Sequence, residues 1–175
     1  MNTPILDTDA ETLRFGYGES VLGTVLVAES DRGVAAIFLG DDRAKLLRDL
    51  KVAFPDAALI AGGAELTATI AKAVMLVDVP RSQSDLRLDI RGSTLELAVW
   101  DALRSIPSGE TCTYGALAKA LPLPATAQEV GAACAANRIA VAIPCHRVVK
   151  ADGSISGYRW GVQRKRRLIN LEGVA

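Results

Sequence analysis

The sequence has one histidine, three cysteines and two methionines, and aromatic residues fill only 5% of its 175 positions. A structural zinc site needs about four Cys or His ligands at suitable spacing. With a single His and no CxxC pair, no metal site is expected. Cys112, Cys134 and Cys145 cannot all pair within the chain, so free thiols in a reducing compartment are expected. Half of the residues are apolar, yet the longest apolar candidate, "AVMLVDV" at Ala73–Val79, falls far short of the roughly 20 residues of a bilayer span. The opening "MNTPILDTDAET" lacks the basic start and apolar stretch of a secretory signal. These absences point to a cytoplasmic chain with no membrane partner. Its length allows one generous core or two small ones sharing an interface.

Net charge is zero, but its distribution is uneven. Residues 1–110 carry 11 basic and 17 acidic side chains, a net of −6, and residues 111–175 carry 9 and 3, a net of +6. A basic C-terminal third is a footprint for a polyanion. It is equally read as Arg164, Lys165, Arg166 and Arg167 forming a solvated helix face.

The first part of the chain reads as β then α. "VLGTVLVA" (Val21–Ala28) and "GVAAIFL" (Gly33–Leu39) are β-branched and apolar runs joined by the polar turn "ESDR". Both faces of these strands are apolar, so helices are expected on at least one side of their sheet. "DDRAKLLRDLKVAF" (Asp41–Phe54) has apolar positions at helical spacing and ends before Pro55. A second helix is expected at about Glu65–Leu76, and "LRLDI" (Leu86–Ile90) alternates like a half-buried strand. A boundary is placed near Arg91–Gly92. Beyond it, "STLELAVWDALRSI" opens with a capping box, Ser93 and Glu96, and aligns Leu95, Val99, Ala102, Leu103 and Ile106 on one stripe. A short helix, "TYGALAKAL" (Thr113–Leu121), precedes a second capping box, Thr126 and Glu129, which opens "TAQEVGAACAAN" (Thr126–Asn137). Two short helices joined by a tight turn outline a helix-turn-helix. The small residues of the second helix suit either close helix packing or close contact with a ligand.

Chemistry concentrates in "IPCHRVV", residues 143–149, where His146 follows Cys145. An isolated pair of this kind also reads as a buried, space-filling cysteine. Here Pro144 fixes the chain direction, and the arginine after the histidine makes an electropositive setting that pulls a thiol below its free pKa of roughly 8.5. Adjacent side chains on extended backbone point to opposite faces. Direct proton transfer between Cys145 and His146 is therefore awkward, and one intervening water would resolve it. Such a histidine needs a third group to hold its tautomer. Glu172 is the candidate, lying four residues after Leu168 and three after Ile169 on the apolar face of "GVQRKRRLINLEG". Arg164, Lys165 and Arg167 mostly point away from that face. A carboxylate among leucines is either a helix-end accident or a buried partner.

"AACAANRIAVAIPCHRVVKADGSISGYRWGVQRKRRLI" resembles the active-site region of the O6-alkylguanine-DNA alkyltransferases, and is most similar to the C-terminal part of bacterial adaptive-response proteins. The likeness extends through "TYGALAKAL" and "LDIRG…VW" to the N-terminal "LG.VLVAES.RGVAAI.LGDD", covering nearly the whole chain. It implies an α+β protein with a ribonuclease-H-like α/β domain at 1–91 and a winged helix-turn-helix domain at 92–175. It also implies a monomer that binds double-stranded DNA through the minor groove and flips out the damaged guanine. Flipping costs about a few kcal/mol, repaid by pocket contacts. The cysteine would take the alkyl group once, by in-line displacement, with no cofactor. Carried over by position, Cys145 is the acceptor, His146 its base through water, Glu172 the orienter of His146, and Asn137 the holder of the cysteine turn. Tyr114 would assist the flipped base and its phosphate. Cys134, Val148, Tyr158 and Arg159 would shape the guanine pocket. The set implied to meet DNA is Tyr114, Gly115, Thr126, Gln128, Gly131, Ala135, Arg138 and Ala151.

The sequence departs from this family in three places. An arginine that enters the base stack usually stands where this chain has Gln128, followed by Glu129, and neither replaces a guanidinium beside phosphates. "ANR" stands where many relatives have Pro after Asn, and Leu95 where an aromatic often begins the preceding helix. Arg138 and the basic terminal helix are candidates for compensating phosphate contacts. The rival readings are a protein acting on free alkylated bases, a lesion sensor or regulator, and an unrelated thiol hydrolase. Cys145 argues against the sensor, because such family members replace the cysteine, often with tryptophan. No feature of the chain demands hydrolytic turnover.

Overall fold

The computed structural model describes residues 10–173, so most of the stretch read above for a secretory signal lies outside the described residues. Strands β1 (Thr12–Ser20), β2 (Gly23–Ser30) and β3 (Gly33–Gly40) form an antiparallel meander. A short β4 (Ala58–Ala61) runs parallel to β1 and completes a sheet of order β3-β2-β1-β4. The apolar runs of β2 and β3 are buried on both faces, including Val25, Leu26, Val27, Ala36 and Ile37. Helices α1 (Arg43–Ala53) and α2 (Thr67–Asp78) pack against this sheet. Asp42 caps α1 by accepting from the Lys45 amide at 3.2 Å, and the helix stops at Phe54, before Pro55. A 3-10 turn at Ala64–Leu66 takes up the first residues expected of α2.

Strand β1 carries no clear sequence signature, because Gly16 and Gly18 lie in its interior and glycine is depleted in strands. Their role is close approach. A Cβ on Gly16 would lie 2.7 Å from Ile70 Cδ1, and one on Gly18 2.6 Å from Val74 Cγ2. Helix α2 thus rests directly on the strand backbone.

The outer edge of β3 is shared by two later segments. Val34 exchanges backbone hydrogen bonds of 2.8 Å with Arg87 and Asp89. Ile37 donates to Arg138 at 2.9 Å and accepts from Ala140 at 3.0 Å. The strand expected at Leu86–Ile90 is therefore a single bridge at Leu88. The edge offers it one residue before the 138–140 segment takes over, and covering that edge removes a site for unwanted strand pairing. The buried apolar residues form one continuous cluster from Leu13 to Leu168, across the boundary expected near Arg91–Gly92.

The second part comprises α3 (Thr94–Arg104), α4 (Tyr114–Ala120), α5 (Ala127–Ala135) and α6 (Val162–Leu171), with two-residue strands β5 (Cys112–Thr113) and β6 (Val148–Val149) paired in parallel. Both expected capping boxes form, Ser93 with Glu96 and Thr126 with Glu129. Val99 and Leu103 bury the α3 stripe, joined by Trp100, whose Nε1–H donates to the Ala133 carbonyl of α5 at 2.9 Å. Two of the three arginines of α6 are not a free solvated face, while Arg166 is exposed and bonds only Gln163 of its own helix. Arg164 donates to Leu22 O and Asp41 Oδ1, both at 2.8 Å, and Arg167 donates to Val21 O at 2.7 Å. They fasten α6 to the β1–β2 turn and to the loop between β3 and α1. No helix among the described residues is long and apolar enough to cross a membrane.

Trp100→Phe should remove the α3–α5 hydrogen bond and leave a small void. The expected cost is about 1–3 kcal/mol, read as a lower denaturant midpoint at unchanged m-value.

Candidate active site

Asn137, fully buried just beyond the end of α5, organises the loop that follows. Its Oδ1 accepts from the Ile139 amide at 2.9 Å, and its Nδ2 donates to Ile143 O at 2.9 Å and to Cys145 Sγ at 3.3 Å. Reaching both acceptors from one amide requires the chain to double back tightly. It does so through Val141, whose φ is +68°, with the Ala142 amide donating to Ala140 O at 2.8 Å. Positive φ is costly for a β-branched residue, so the surrounding contacts hold this turn. Pro144 then makes a second tight turn, with the Cys145 amide donating to Ile143 O at 2.8 Å.

Cys145–Arg147 is a 3-10 turn rather than the extended segment expected from sequence. With about three residues per turn, neighbouring side chains diverge by roughly a third of a circle. Cys145 lines an open cleft, while His146 enters the interior with no solvent exposure. His146 Nε2 meets Glu172 Oε1 at 2.6 Å. The carboxylate among the leucines of α6 is therefore a buried partner and not a helix-end accident.

Arg147 closes this group. Its Nε lies 3.2 and 3.1 Å from the two Glu172 oxygens, its Nη2 lies 2.9 Å from Oε1, and its Nη1 donates to Ile106 O at 2.7 Å. Burial pushes the Glu172 carboxyl up, but hydrogen bonds from His146 and Arg147 outweigh it and leave its pKa lowered. Burial lowers His146 below its usual 6.5, against the pull of Glu172. The consistent state is an ionised Glu172 facing a neutral imidazole. Nε2 must then carry the proton and Nδ1 the lone pair, since the carboxylate can only accept. Nδ1 is buried and has no partner among the described residues.

Two expectations change here. Arg147 does not make the thiol acidic, because its guanidinium turns to Glu172 and Ile106. Burial instead pushes Cys145 up to about 11, eased by the Asn137 bond and by Lys165. Lys165 does not point away from the apolar face. It is 1% exposed, with Nζ 3.5 Å from the Tyr114 hydroxyl and 5.8 Å from its ring. Burial lowers the Lys165 pKa, against the pull of Cys145 and Cys134. Sequence reasoning passed over Arg147 and Lys165 as site residues. The only available signal was a basic residue next to His146 and another within the periodic run of α6.

The cleft has a volume of about 670 Å³ and brings together Tyr114, Gln128, Gly131, Cys134, Ala135, Cys145, Tyr158 and Arg159 of the expected set. It adds Lys150 and Ser156, and Ser156 Oγ bonds the Tyr114 hydroxyl at 2.6 Å. Burial raises the pKa of both Tyr114 and Tyr158. The Tyr158 hydroxyl is buried without a partner among the described residues, and its ring meets Trp160 edge-on at 5.3 Å. Arg159 donates to Asn137 O at 2.9 Å and lies over the Phe38 ring. Cys134 is pushed up to about 12 by burial, which makes it a poor nucleophile. Gln128 is exposed on the first turn of α5.

The remaining expected residues lie around the cleft rather than in it. Val148 is fully buried in β6, Gly115 sits in the first turn of α4, Thr126 caps α5, and Ala151 is exposed on a turn. Arg138 stacks over the Phe54 ring at 5.3 Å. Among the described residues, no group of three or more His, Cys, Asp or Glu side chains is placed to hold a metal ion. The arrangement sets a thiol at an open cleft and, on the next residue, a buried imidazole bonded to a carboxylate.

Comparison with known proteins agrees with this geometry. Residues 94–174 match the family described as 6-O-methylguanine DNA methyltransferase, DNA binding domain. The Bifunctional transcriptional activator/DNA repair enzyme Ada of Escherichia coli is 44% identical over 160 residues, which is 91% of this chain and 45% of that protein. The chain thus spans about half the length of the curated relatives it matches. Among solved structures, the O6-methylguanine-DNA methyltransferase of Pyrococcus kodakaraensis is 25% identical, with a TM-score of 0.74 over 93% of this chain and 99% of that one. Mycobacterium tuberculosis OGT in complex with DNA is 29% identical, with a TM-score of 0.70 over 92% of each chain. Residues 94–174 thus carry the DNA binding domain of the 6-O-methylguanine DNA methyltransferase family, and over most of its length the chain is similar to O6-alkylguanine-DNA alkyltransferases.

Proposed function

We propose that this chain repairs O6-alkylguanine in double-stranded DNA by moving the alkyl group onto its own Cys145, once per molecule and without a cofactor. The observation that carries the proposal is the buried Cys145, His146, Glu172 group backing onto the open cleft. In the reaction the Sγ–C bond forms as the O6–C bond breaks. The thiol proton passes through a water to His146 Nδ1, and the imidazolium returns one proton through solvent to guanine N1, which leaves a neutral lactam and a neutral imidazole. The thiol is neutral at rest, so the base has to act during the transfer. The thioether product has no hydrolysable bond, which makes the reaction stoichiometric.

The same proposal includes the finer architecture. Residues 1–91 are read as a ribonuclease-H-like domain, supported by three antiparallel strands flanked by a parallel β4. Residues 92–175 are read as a winged helix-turn-helix, supported by the adjacent α4 and α5 and the β5–β6 pair. DNA would be met on its minor-groove side by α5 and the rim of the cleft, with the damaged base flipped toward Cys145. Tyr114, Tyr158 and Arg159 would frame that base. A monomeric, cytoplasmic protein completes the reading. Action on free bases or as a sensor is not favoured, since the relatives are named as DNA repair and methyltransferase proteins and this chain keeps its cysteine.

Incubation with an O6-methylguanine duplex should add one methyl to the intact mass, mapped to Cys145. Cys145→Ala should abolish the gain in a folded protein, and uptake on Cys134 or Cys112 would refute the assignment. The rate constant should stay level near neutrality and fall only as the pH drops below His146's ordinary 6.5, because the neutral imidazole is the working form. A rate independent of pH on the acid side would exclude His146 as the base. Gln128→Arg should tighten duplex binding and steepen the log–log salt dependence by about 0.9, the value of one added phosphate contact. An unchanged salt titration would show that position 128 does not limit binding.

A further inference from the structure

Glu172 is held at its backbone as well as at its carboxylate. Arg81, in the segment that leaves α2, donates from Nε to the Glu172 carbonyl at 2.5 Å. Glu172 is the C-cap of α6, where backbone carbonyls lack helical partners and a cation is favoured. The guanidinium lies between two glycines. A Cβ on Gly173 would sit 2.9 Å from Arg81 Nη2, and one on Gly109 3.2 Å from it. Both glycines have positive φ, +73° and +91°, which L side chains rarely adopt. The Gly109 amide also points at Glu172 Oε2, at 3.4 Å. Three separate segments therefore converge on one residue: the α2 exit, the loop after α3, and the end of α6.

We propose that Arg81 is a positioning residue for the active site, seating the α6 terminus so that the Glu172 carboxylate meets His146 Nε2 in the geometry that keeps Nδ1 basic. It acts through Glu172 and touches neither the cleft nor the cysteine. The segment following α2 thereby controls the competence of Cys145. The backbone anchor matters because the side-chain bonds of Glu172 can form together only while the end of α6 is held in place. A small shift in an orienting group is felt strongly at the reacting atoms.

The proposal rests on the alkyltransferase reading for its rate measurement and is independent of it for a second, spectroscopic one. His146 is the only histidine of the chain, so its imidazole ¹⁵N signals are unambiguous. In the unmodified full chain they should report a neutral ring with Nε2 protonated. In Arg81→Ala they should move toward averaging of the two tautomers, and single-turnover methyl transfer from an O6-methylguanine duplex should slow by about ten- to hundredfold. Arg81→Lys, which keeps a cation and one donor to the Glu172 carbonyl, should recover much of both. An unchanged ¹⁵N spectrum in folded Arg81→Ala overturns the proposal, whether the rate is native or falls only in step with thermal stability. If Arg81→Ala does not fold, the same readings on Arg81→Lys and Arg81→Gln decide it, with native spectra in both counting against. If the unmodified protein takes up no methyl group, the alkyltransferase reading fails while the ¹⁵N comparison still decides the role of Arg81.

Discussion

The carboxylate of Glu172 has no solvent exposure, and the rest of the site depends on how its charge is met. An ionised group removed from water costs several kcal/mol unless it is paired and hydrogen-bonded. Here the pairing is divided, with Arg147 supplying the positive charge and His146 a neutral donor. That division has a chemical result. If His146 were the only partner, the buried anion would draw a proton onto the ring and turn a base into an acid. Burial disfavours the charged ring and Arg147 balances the carboxylate, so the imidazole stays neutral, and its tautomer is set by the bond to Glu172.

The second constraint is the path of the chain into Cys145. Residues 138–140 are fastened to the outer edge of β3, and Asn137 gathers Ile139, Ile143 and Cys145 around one side-chain amide. Val141 is left in a backbone conformation it would not choose, a form of local strain that persists only where neighbours over-determine it. The first part of the chain is thus structurally part of the site. Its sheet edge anchors the cysteine loop, and its continuation through Arg81 reaches the backbone of Glu172 at the end of α6.

Charge is also used differently from its appearance in the sequence. The net +6 of residues 111–175 suggests a surface for a polyanion, but much of it is engaged by the protein itself. Arg164 and Arg167 bind carbonyls of the β1–β2 turn, Arg147 neutralises Glu172, and Lys165 is buried beside Tyr114. Arg138 covers an aromatic ring of the first part. The cleft rim keeps Lys150 and Arg159, and the first turn of α5 presents uncharged Gln128 with Glu129 engaged in its capping box. The electrostatic attraction available at that helix is correspondingly modest.

The sequence by itself determined the local structure wherever a short-range rule applies. Strands β2 and β3, both capping boxes, and the stop of α1 before Pro55 follow from periodicity, cap chemistry and the geometry of proline. The specific run around Cys145 also disclosed the family and named Glu172 as a partner for His146. Tertiary structure decided what depends on direction and on neighbours distant in the chain. Strand β1 was hidden because its glycines are explained only by the side chains of α2 above them. The segment 86–90 shrank to one bridge because another segment claims the same edge. Lys165 looked like a surface charge and Arg147 like a partner of the thiol, since adjacency in sequence cannot tell which way a long cationic side chain turns. Burial then reversed the expected shift of the thiol, because desolvation is a property of the assembled interior and is written in no single residue.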